Sequence, residues 1–76
     1  MADEIVLMHT QDCHLCEQAE AMLAWMGVSA TPCDIALDPS LAEQYGVRIP
    51  VLVSGEYELG WPFEPAQIKD WLESQS

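Results

Sequence analysis

The hydrophobic pattern of the chain predicts short strands that alternate with amphipathic helices. Apolar runs bounded by polar or turn residues predict strands at positions 5–9, 29–34, 51–53 and 57–59. Helices are predicted where apolar residues recur every three or four positions, over 15–26, 39–45 and 65–72. The predicted order of elements is therefore βαβαββα.

The connections between these elements predict a mixed sheet. The first two strands are separated by one helix, so we expect them to lie parallel and to be joined by a right-handed crossover. The last two strands are joined by a short turn at Gly55, so we expect an antiparallel hairpin. The sequence thus predicts an α/β protein with one four-stranded sheet and helices on its faces, and we interpret residues 1–76 as a single domain.

Capping residues and apolar positions predict how the first helix is oriented. Asp12 is the predicted N-cap, and Gly27 is the predicted left-handed residue at the C-terminal end. The face that packs on the core is expected to carry Leu15, Ala19, Met22, Leu23 and Met26. A chain of this length has a small core, so large aromatic side chains should supply much of the packing; they are Trp25, Trp61, Phe63 and Trp71.

Acidic residues dominate the charge of the chain. Thirteen Asp and Glu residues stand against two basic residues, Arg48 and Lys69, and the formal net charge is -11. This charge argues against a nucleic acid partner, because phosphate binding requires clustered Lys and Arg; it fits either a self-repelling soluble surface or steering toward a basic partner. The apolar run at 5–8 is too short to span a membrane and is preceded by acidic residues, which indicates a cytoplasmic protein without a membrane partner.

The candidate chemistry lies in Cys13-His14-Leu15-Cys16, between the first strand and the first helix. Two thiols three positions apart on a helical turn can form an intramolecular disulfide. The helix N-terminus favours the thiolate form of Cys13, the expected nucleophile, and Cys16 lies one turn further in as the expected resolving thiol. Asp12 should disfavour a second negative charge, whereas His14 either supports the thiolate when protonated or is an exposed spacer.

Other classes of function could use the same residues. Cys13 and Cys16 could hold zinc or an iron-sulfur cluster, with His9 or His14 and Cys33 as further ligands. The sequence has no second Cys-x-x-Cys pair and no paired His motif, so no metal site is predicted. Cys33 is interpreted as a small buried hydrophobic residue, with a third redox thiol as the alternative. A redox-inert adaptor that binds a basic partner through its acidic face is a further alternative.

Together with Tyr45-Gly46-Val47-Arg48-Ile49-Pro50-Val51-Leu52, the cysteine motif resembles the glutaredoxin-like branch of the thioredoxin fold, over nearly the whole chain. The resemblance implies a sheet in the order 2-1-3-4, with the third strand antiparallel to the first. It also implies that the Ile49–Pro50 bond is cis and adjacent to Cys13. The backbone of Ile49 would then pair with an extended substrate or with glutathione.

The same resemblance implies a thiol-disulfide oxidoreductase that reduces small-molecule or protein disulfides in redox homeostasis. Arg48 could contact a carboxylate of glutathione or of an acidic substrate, or could pair with an acidic residue of its own chain. Gly60 and Trp61 stand where glutaredoxins have paired glycines that help to receive glutathione, and Trp61 could also be a core or lid residue beneath the last helix. No tightly bound cofactor is implied; glutathione is a candidate co-substrate, and either glutathione or a protein reductase would restore the dithiol.

Overall fold

The computed structural model describes residues 4–74, which contain four strands and three helices in the predicted order. The strands are β1 (Val6–His9), β2 (Thr31–Asp34), β3 (Val51–Ser54) and β4 (Tyr57–Gly60). The helices are α1 (His14–Met26), α2 (Pro39–Tyr45) and α3 (Pro65–Glu73). A single 3-10 turn at Ile35–Leu37, which the hydrophobic pattern did not indicate, connects β2 to α2.

The strands form one mixed sheet in the order β2-β1-β3-β4, which confirms the predicted fold class. Strand β1 is parallel to β2, antiparallel to β3, and Leu7 is the β1 residue opposite Pro32 on one side and Leu52 on the other. The β3-β4 hairpin turns at Gly55, whose φ of 61° lies in the left-handed region that favours glycine. The carboxyl end of β1 and the amino end of β3 therefore meet at one edge of the sheet.

Strand β2 is shorter than predicted and forms an outer strand of the sheet. Pairing with β1 begins at Thr31, whose N–H donates to the Ile5 carbonyl at 2.8 Å, rather than at position 29. Because successive strand residues point their backbone groups to opposite sides, the next residue, Pro32, has its nitrogen on the unpaired side. The proline therefore removes no hydrogen bond from the ladder, which is why an edge strand tolerates it.

The core consists of two clusters, one on each face of the sheet. Between the sheet and the helices α1 and α3 lie Leu7, Ala19, Leu23, Leu52, Phe63 and Ile68. On the α2 face lie Met8, Ile35, Tyr45 and Val51. Consecutive β1 residues, Leu7 and Met8, thus enter different clusters, because neighbouring side chains of a strand point to opposite faces. Burial on both faces explains the unbroken apolar run of β1.

The packed face of α1 agrees with the predicted one except at its first residue: Ala19 and Leu23 are buried and Met22 and Met26 pack against the core cluster, but Cys16 is buried in place of Leu15. Its buried residues are Cys16, Ala19 and Leu23, whereas Leu15 is 42% exposed and Trp25 is 79% exposed. Trp25 lies two residues after Leu23, about 200° around the helix, and therefore points to solvent. The expectation that Trp25 and Leu15 pack in the core is wrong. Phe63 is fully buried as expected, and Trp61 and Trp71 pack partly buried against the same cluster.

Residue types that favour helix ends cap most of the helices, and the prediction for Gly27 is confirmed. Gly27 ends α1 in the left-handed conformation, with φ of 74°. The Asp38 carboxylate accepts the Ser40 N–H at 2.9 Å at the start of α2. At the start of α3, the Gln67 side-chain oxygen accepts the Glu64 N–H at 2.8 Å. The exception is the first helix start, which belongs to the candidate site.

Candidate functional site

The thiol pair lies where the chain leaves β1 and enters α1. Cys13, with φ of -100° and ψ of 103°, is the N-cap of α1, and its Sγ accepts the Cys16 N–H at 3.2 Å. The prediction that Asp12 caps this helix is wrong. Asp12 has φ of 58° and belongs to the preceding turn, since Asp tolerates the left-handed region better than most residues. The capping position therefore falls to the thiol itself.

Cys13 and Cys16 form a disulfide across one helical turn, with their Cα atoms 5.2 Å apart. The two cysteines differ in exposure. Cys16 is 2% exposed and lies on the buried face of α1, whereas Cys13 is only partly buried. A molecule approaching from solvent therefore reaches the Cys13 side of the pair first. This asymmetry follows from helix geometry, because the N-cap residue lies at the end of the helix and Cys16 lies one turn further in.

The charged neighbours of the pair are exposed. The His14 side chain is 83% exposed, and its Nδ1 lies 3.7 Å from a carboxylate oxygen of Glu17, an ion pair only when the imidazole is protonated. Asp12 is also exposed. His14 thus contacts an acidic residue one turn along, which fits an exposed spacer better than a partner of the thiolate.

The segment before β3 lies at the same edge of the sheet as the thiol pair. Met8 is opposite Val51, so one further step in the register places Pro50 beside His9, the last residue of β1. The Ile49–Pro50 bond is cis, and Pro50 is fully buried. The Ile49 N–H already donates to the Tyr45 carbonyl at 3.1 Å. The backbone group of Ile49 that is left for a substrate is therefore the Ile49 carbonyl oxygen, which would accept a hydrogen bond from a substrate N–H.

Gly60 and Trp61 come to this edge from β4. Gly60 is opposite Val51, and the Trp61 N–H donates to the Pro50 carbonyl at 3.1 Å. The Trp61 ring packs against the core cluster under α1 and α3 and meets the Phe63 ring edge to face, with centroids 5.0 Å apart. The structure thus brings Pro50, Gly60 and Trp61 together, and the packing of Trp61 agrees with the core or lid alternative.

Arg48 is held by residues that the sequence analysis did not single out. Its Nη2 lies 2.7 Å from one carboxylate oxygen of Glu58, and the Tyr45 hydroxyl donates to the other oxygen at 2.9 Å. The guanidinium also lies over the Tyr45 ring, 5.3 Å from its centroid. Arg48 therefore pairs with an acidic residue of its own chain, which was the second of the two expected roles.

These contacts shift the pKa values of the three side chains. The hydrogen bonds from Arg48 and then from Tyr45 lower the pKa of Glu58 below its usual value of 4.5. Burial, followed by the hydrogen bond to Glu58, raises the pKa of Tyr45 above 10.0. The hydrogen bond to Glu58 raises the pKa of Arg48 above its usual value. All three shifts favour a Glu58 carboxylate between a charged guanidinium and a neutral phenol.

One signal in the sequence could have identified Glu58. In the β3-β4 hairpin, Val53 is opposite Glu58, so both side chains point to the α2 face. The face that carries Glu58 is the one on which α2 packs, and Arg48, one of only two cations in the chain, follows α2 directly. The pairing of these two residues was thus open to prediction once the hairpin register was fixed.

The described part of the chain shows neither a metal centre nor a membrane span. Across residues 4–74, no three His, Cys, Asp or Glu side chains come close enough together to hold a metal ion. The candidate zinc ligands His9, His14 and Cys33 therefore do not gather around Cys13 and Cys16. In the same range, no helix has both the length and the apolar character needed to cross a bilayer.

Comparison with known proteins relates the chain to one family and one fold. The chain is similar to the X-ray structure of Northeast Structural Genomics target protein XcR50 from X. campestris, with 35% identity and a TM-score of 0.86 over 95% of this chain and 99% of that one. It is also similar to the solution structure of the same target, with 36% identity and a TM-score of 0.84 over 100% of this chain and 97% of that one. No curated protein matches.

The family comparison covers almost the whole chain and includes every element described above. Residues 4–73 match the family model described as Glutaredoxin-like domain (DUF836). A family match of this extent, the sheet order and a disulfide-linked Cys-x-x-Cys at the start of α1 agree with the resemblance found in the sequence, and they fit a thiol redox role. The chain belongs to the glutaredoxin-like DUF836 family.

Proposed function

We propose that the protein is a thiol-disulfide oxidoreductase that reduces small-molecule or protein disulfides. The observation that carries this proposal is the asymmetric pair at the start of α1, in which Cys13 is partly exposed and Cys16 is 2% exposed. Disulfide exchange needs one accessible thiolate to attack the substrate and a second thiol close enough to release it. The pair supplies both within one helical turn.

In the proposed reaction, the Cys13 thiolate attacks a substrate sulfur and forms a mixed disulfide. The unpaired backbone amides at the helix N-terminus favour the negative charge on that sulfur, as the Cys16 N–H contact illustrates. Cys16 then loses its proton and attacks the Cys13 sulfur, which releases the second thiol of the substrate. Glutathione or a protein thiol reductase would return the disulfide to the dithiol, and the reaction requires no tightly bound cofactor.

The residues at the sheet edge would receive the substrate beside Cys13. Pro50, Gly60 and Trp61 are joined there by the Trp61 N–H to Pro50 carbonyl contact. The Ile49 carbonyl would pair with an extended substrate, since its N–H is occupied. We expect Asp12 to oppose the thiolate and His14 to have a minor effect, because its imidazole lies beside Glu17.

Trapping of the mixed disulfide tests this assignment of roles. After treatment with bis(2-hydroxyethyl) disulfide, Cys16→Ser should retain a mixed disulfide at Cys13. Cys13→Ser should form no adduct at position 13 and should not reduce the probe. Cys33→Ser is the matched control and should keep full turnover, because Cys33 is a free thiol on β2. Mass spectrometry identifies the adduct. Unchanged reduction by Cys13→Ser would refute the assignment.

A reducing compartment such as the cytoplasm would suit this chemistry. There the free thiol of Cys33 would stay reduced, and the Cys13-Cys16 disulfide would be an intermediate of turnover rather than a permanent cross-link. The metal and iron-sulfur alternatives are tested separately by metal content and ultraviolet-visible absorption of freshly purified protein. Residues 4–74 contain no group of three or more His, Cys, Asp or Glu side chains placed to hold a metal ion.

A further inference from the structure

We propose that Glu58 sets the charge preference of the thiol site, so that its substrates carry neutral or cationic groups beside the disulfide rather than carboxylates. This inference rests on the proposed function and names the substrate class of the same site. It is based on the position of Arg48 in the chain and on the residue that holds its side chain. The segment that leads from α2 into Pro50 carries Arg48, and Glu58 on β4 holds that cation.

The Arg48-Glu58 pair leaves little net positive charge for an incoming anion. Both carboxylate oxygens of Glu58 are engaged, one by Arg48 at 2.7 Å and the other by the Tyr45 hydroxyl at 2.9 Å. The Arg48 side chain is nevertheless 45% exposed, so a ligand can reach it. An approaching carboxylate would have to compete with a carboxylate that is already fixed in place, and would meet a nearly neutral group.

The formally charged residues nearest the thiol pair along the chain are acidic. Asp12 directly precedes Cys13, and Glu17, 72% exposed, lies in the first turn of the same helix. The only other basic residue, Lys69, lies on α3, and the formal charge of the whole chain is -11. At an ionic strength of about 0.1 M such charges act over roughly 10 Å. They should slow the encounter of anionic disulfides with Cys13 and speed that of cationic ones.

The reaction compared is reduction of a symmetric disulfide by one equivalent of pre-reduced protein. The Cys13 thiolate bonds to one substrate sulfur, the substrate disulfide breaks, and the leaving thiolate takes up a proton. Cys16 then gives up its proton and bonds to Cys13, and the second thiol leaves. Two electrons thus pass from the protein dithiol to the substrate, which yields one protein disulfide and two small thiols.

Three probes of similar size and different charge test the inference: cystamine, bis(2-hydroxyethyl) disulfide and 3,3'-dithiodipropionate. Oxidised glutathione is a fourth, anionic probe. Each rate constant is divided by that of free dithiothreitol with the same probe, because the acidity of the leaving thiol also affects the rate. The normalised cystamine to dithiodipropionate ratio is measured at low and high salt for wild type, Glu58→Gln and Glu56→Gln. Glu56 lies in the β3-β4 turn, two residues before Glu58, and no hydrogen bond or ion pair within residues 4–74 joins its side chain to Arg48, so its replacement removes the same charge without releasing Arg48.

In wild type the normalised ratio should be about 10 at low salt and should fall to about 2 at 0.5 M salt. Glu58→Gln, which releases Arg48, should lower the low-salt ratio about threefold, and Glu56→Gln should change it by less than about 1.5-fold. A wild-type ratio of one or less, or equal shifts in the two variants, overturns the inference. If the neutral probe is not reduced at all, the proposed function fails; if it is reduced without any charge preference, only the present inference fails. If Glu58→Gln does not fold, Arg48→Gln takes its place: it leaves the Glu58 carboxylate without its cation and should raise the low-salt ratio, and an unchanged ratio overturns the inference.

Discussion

The Cys13 sulfur accepts the backbone N–H of Cys16 at 3.2 Å, so a single atom both caps α1 and carries the proposed nucleophile. A capping side chain satisfies one of the backbone amides that have no partner at a helix N-terminus. Replacement of Cys13 therefore has a structural effect and a chemical effect, and the choice of substituent separates them.

Cys13→Ser should preserve the cap, because serine is a favoured N-cap residue, whereas Cys13→Ala should lower the free energy of unfolding by about 1 kcal/mol relative to the serine variant. Both variants should lose disulfide reduction. Urea unfolding of the reduced proteins gives the stability difference. Equal stabilities for the two variants would argue against a capping role for the thiol.

Glu58→Gln should destabilise the protein by about 0.5 to 1 kcal/mol at pH 7, a value kept small because the Glu58 side chain is 34% exposed and the pair is screened. The folded state lowers the pKa of Glu58, so its contribution is present above the unfolded pKa, near 4.5, and is lost as the pH falls through the folded value. The stability gap between wild type and variant should therefore narrow below pH 4.5. Urea unfolding at pH 7 and pH 3 measures both gaps.

Glu43→Gln is the matched control for this prediction. Glu43 is exposed on α2, and its side chain makes no hydrogen bond or ion pair with another residue within 4–74. Its replacement should leave stability near the wild-type value at both pH values. A stability difference for Glu58→Gln that stays constant with pH, or that Glu43→Gln reproduces, would show that the pairing of Glu58 with Arg48 and Tyr45 is not its cause.

Tyr45→Phe should cost about 1 kcal/mol at pH 7, because it removes the hydroxyl that donates to Glu58. The folded state raises the pKa of Tyr45, so its contribution is present below the unfolded value of 10.0 and is lost as the pH rises through the folded value. The gap to wild type should therefore narrow in strong alkali. Tyr57→Phe, at an exposed position, should have little effect in the same unfolding measurements.

The sequence pattern predicted the strands and the helices because a short strand that is buried on both faces has an unbroken apolar run, which differs from the periodic pattern of a helix. The apolar run of β1, the single helix between the first two strands and the turn at Gly55 predicted one mixed sheet with a parallel pair and a hairpin. The strand order 2-1-3-4 and the antiparallel pairing of β1 with β3 came from the family resemblance. The burial of Cys16 instead of Leu15 on α1 was not predictable in the same way, because Ala19 belongs to two possible apolar stripes. One passes through Leu15 and the other through Cys16, and only packing against the sheet selects the second.

At the candidate site, sequence spacing predicted the two cysteines, but it predicted neither the residue that caps α1 nor the partner of Arg48. Asp12 matches a capping residue in type, yet its left-handed conformation moves the helix start by one residue, which depends on the path of the preceding loop. The choice of Glu58 for Arg48 among thirteen acidic residues depends on the hairpin register and on the position of α2, which are long-range features.

Ile68→Ala should destabilise the protein by about 3 kcal/mol, because Ile68 is fully buried in the cluster beneath α3 and its loss leaves a cavity. Trp25→Ala removes a larger side chain but should change stability by no more than about 0.5 kcal/mol, because Trp25 is 79% exposed. Thermal and urea unfolding distinguish the two. A large loss on replacing Trp25 would mean that its side chain packs against the protein in solution.

In reduced protein, iodoacetamide should modify Cys13 at least about ten times faster than Cys16. Cys13 is partly exposed at the end of α1, whereas Cys16 is 2% exposed and can react only when the start of the helix opens. Mass spectrometry of peptides after short exposures gives the rate at each thiol. In urea the difference should vanish, which controls for intrinsic reactivity. Equal rates in the native protein would contradict the assignment of Cys13 as attacking thiol and Cys16 as resolving thiol, because that assignment depends on their unequal access to solvent.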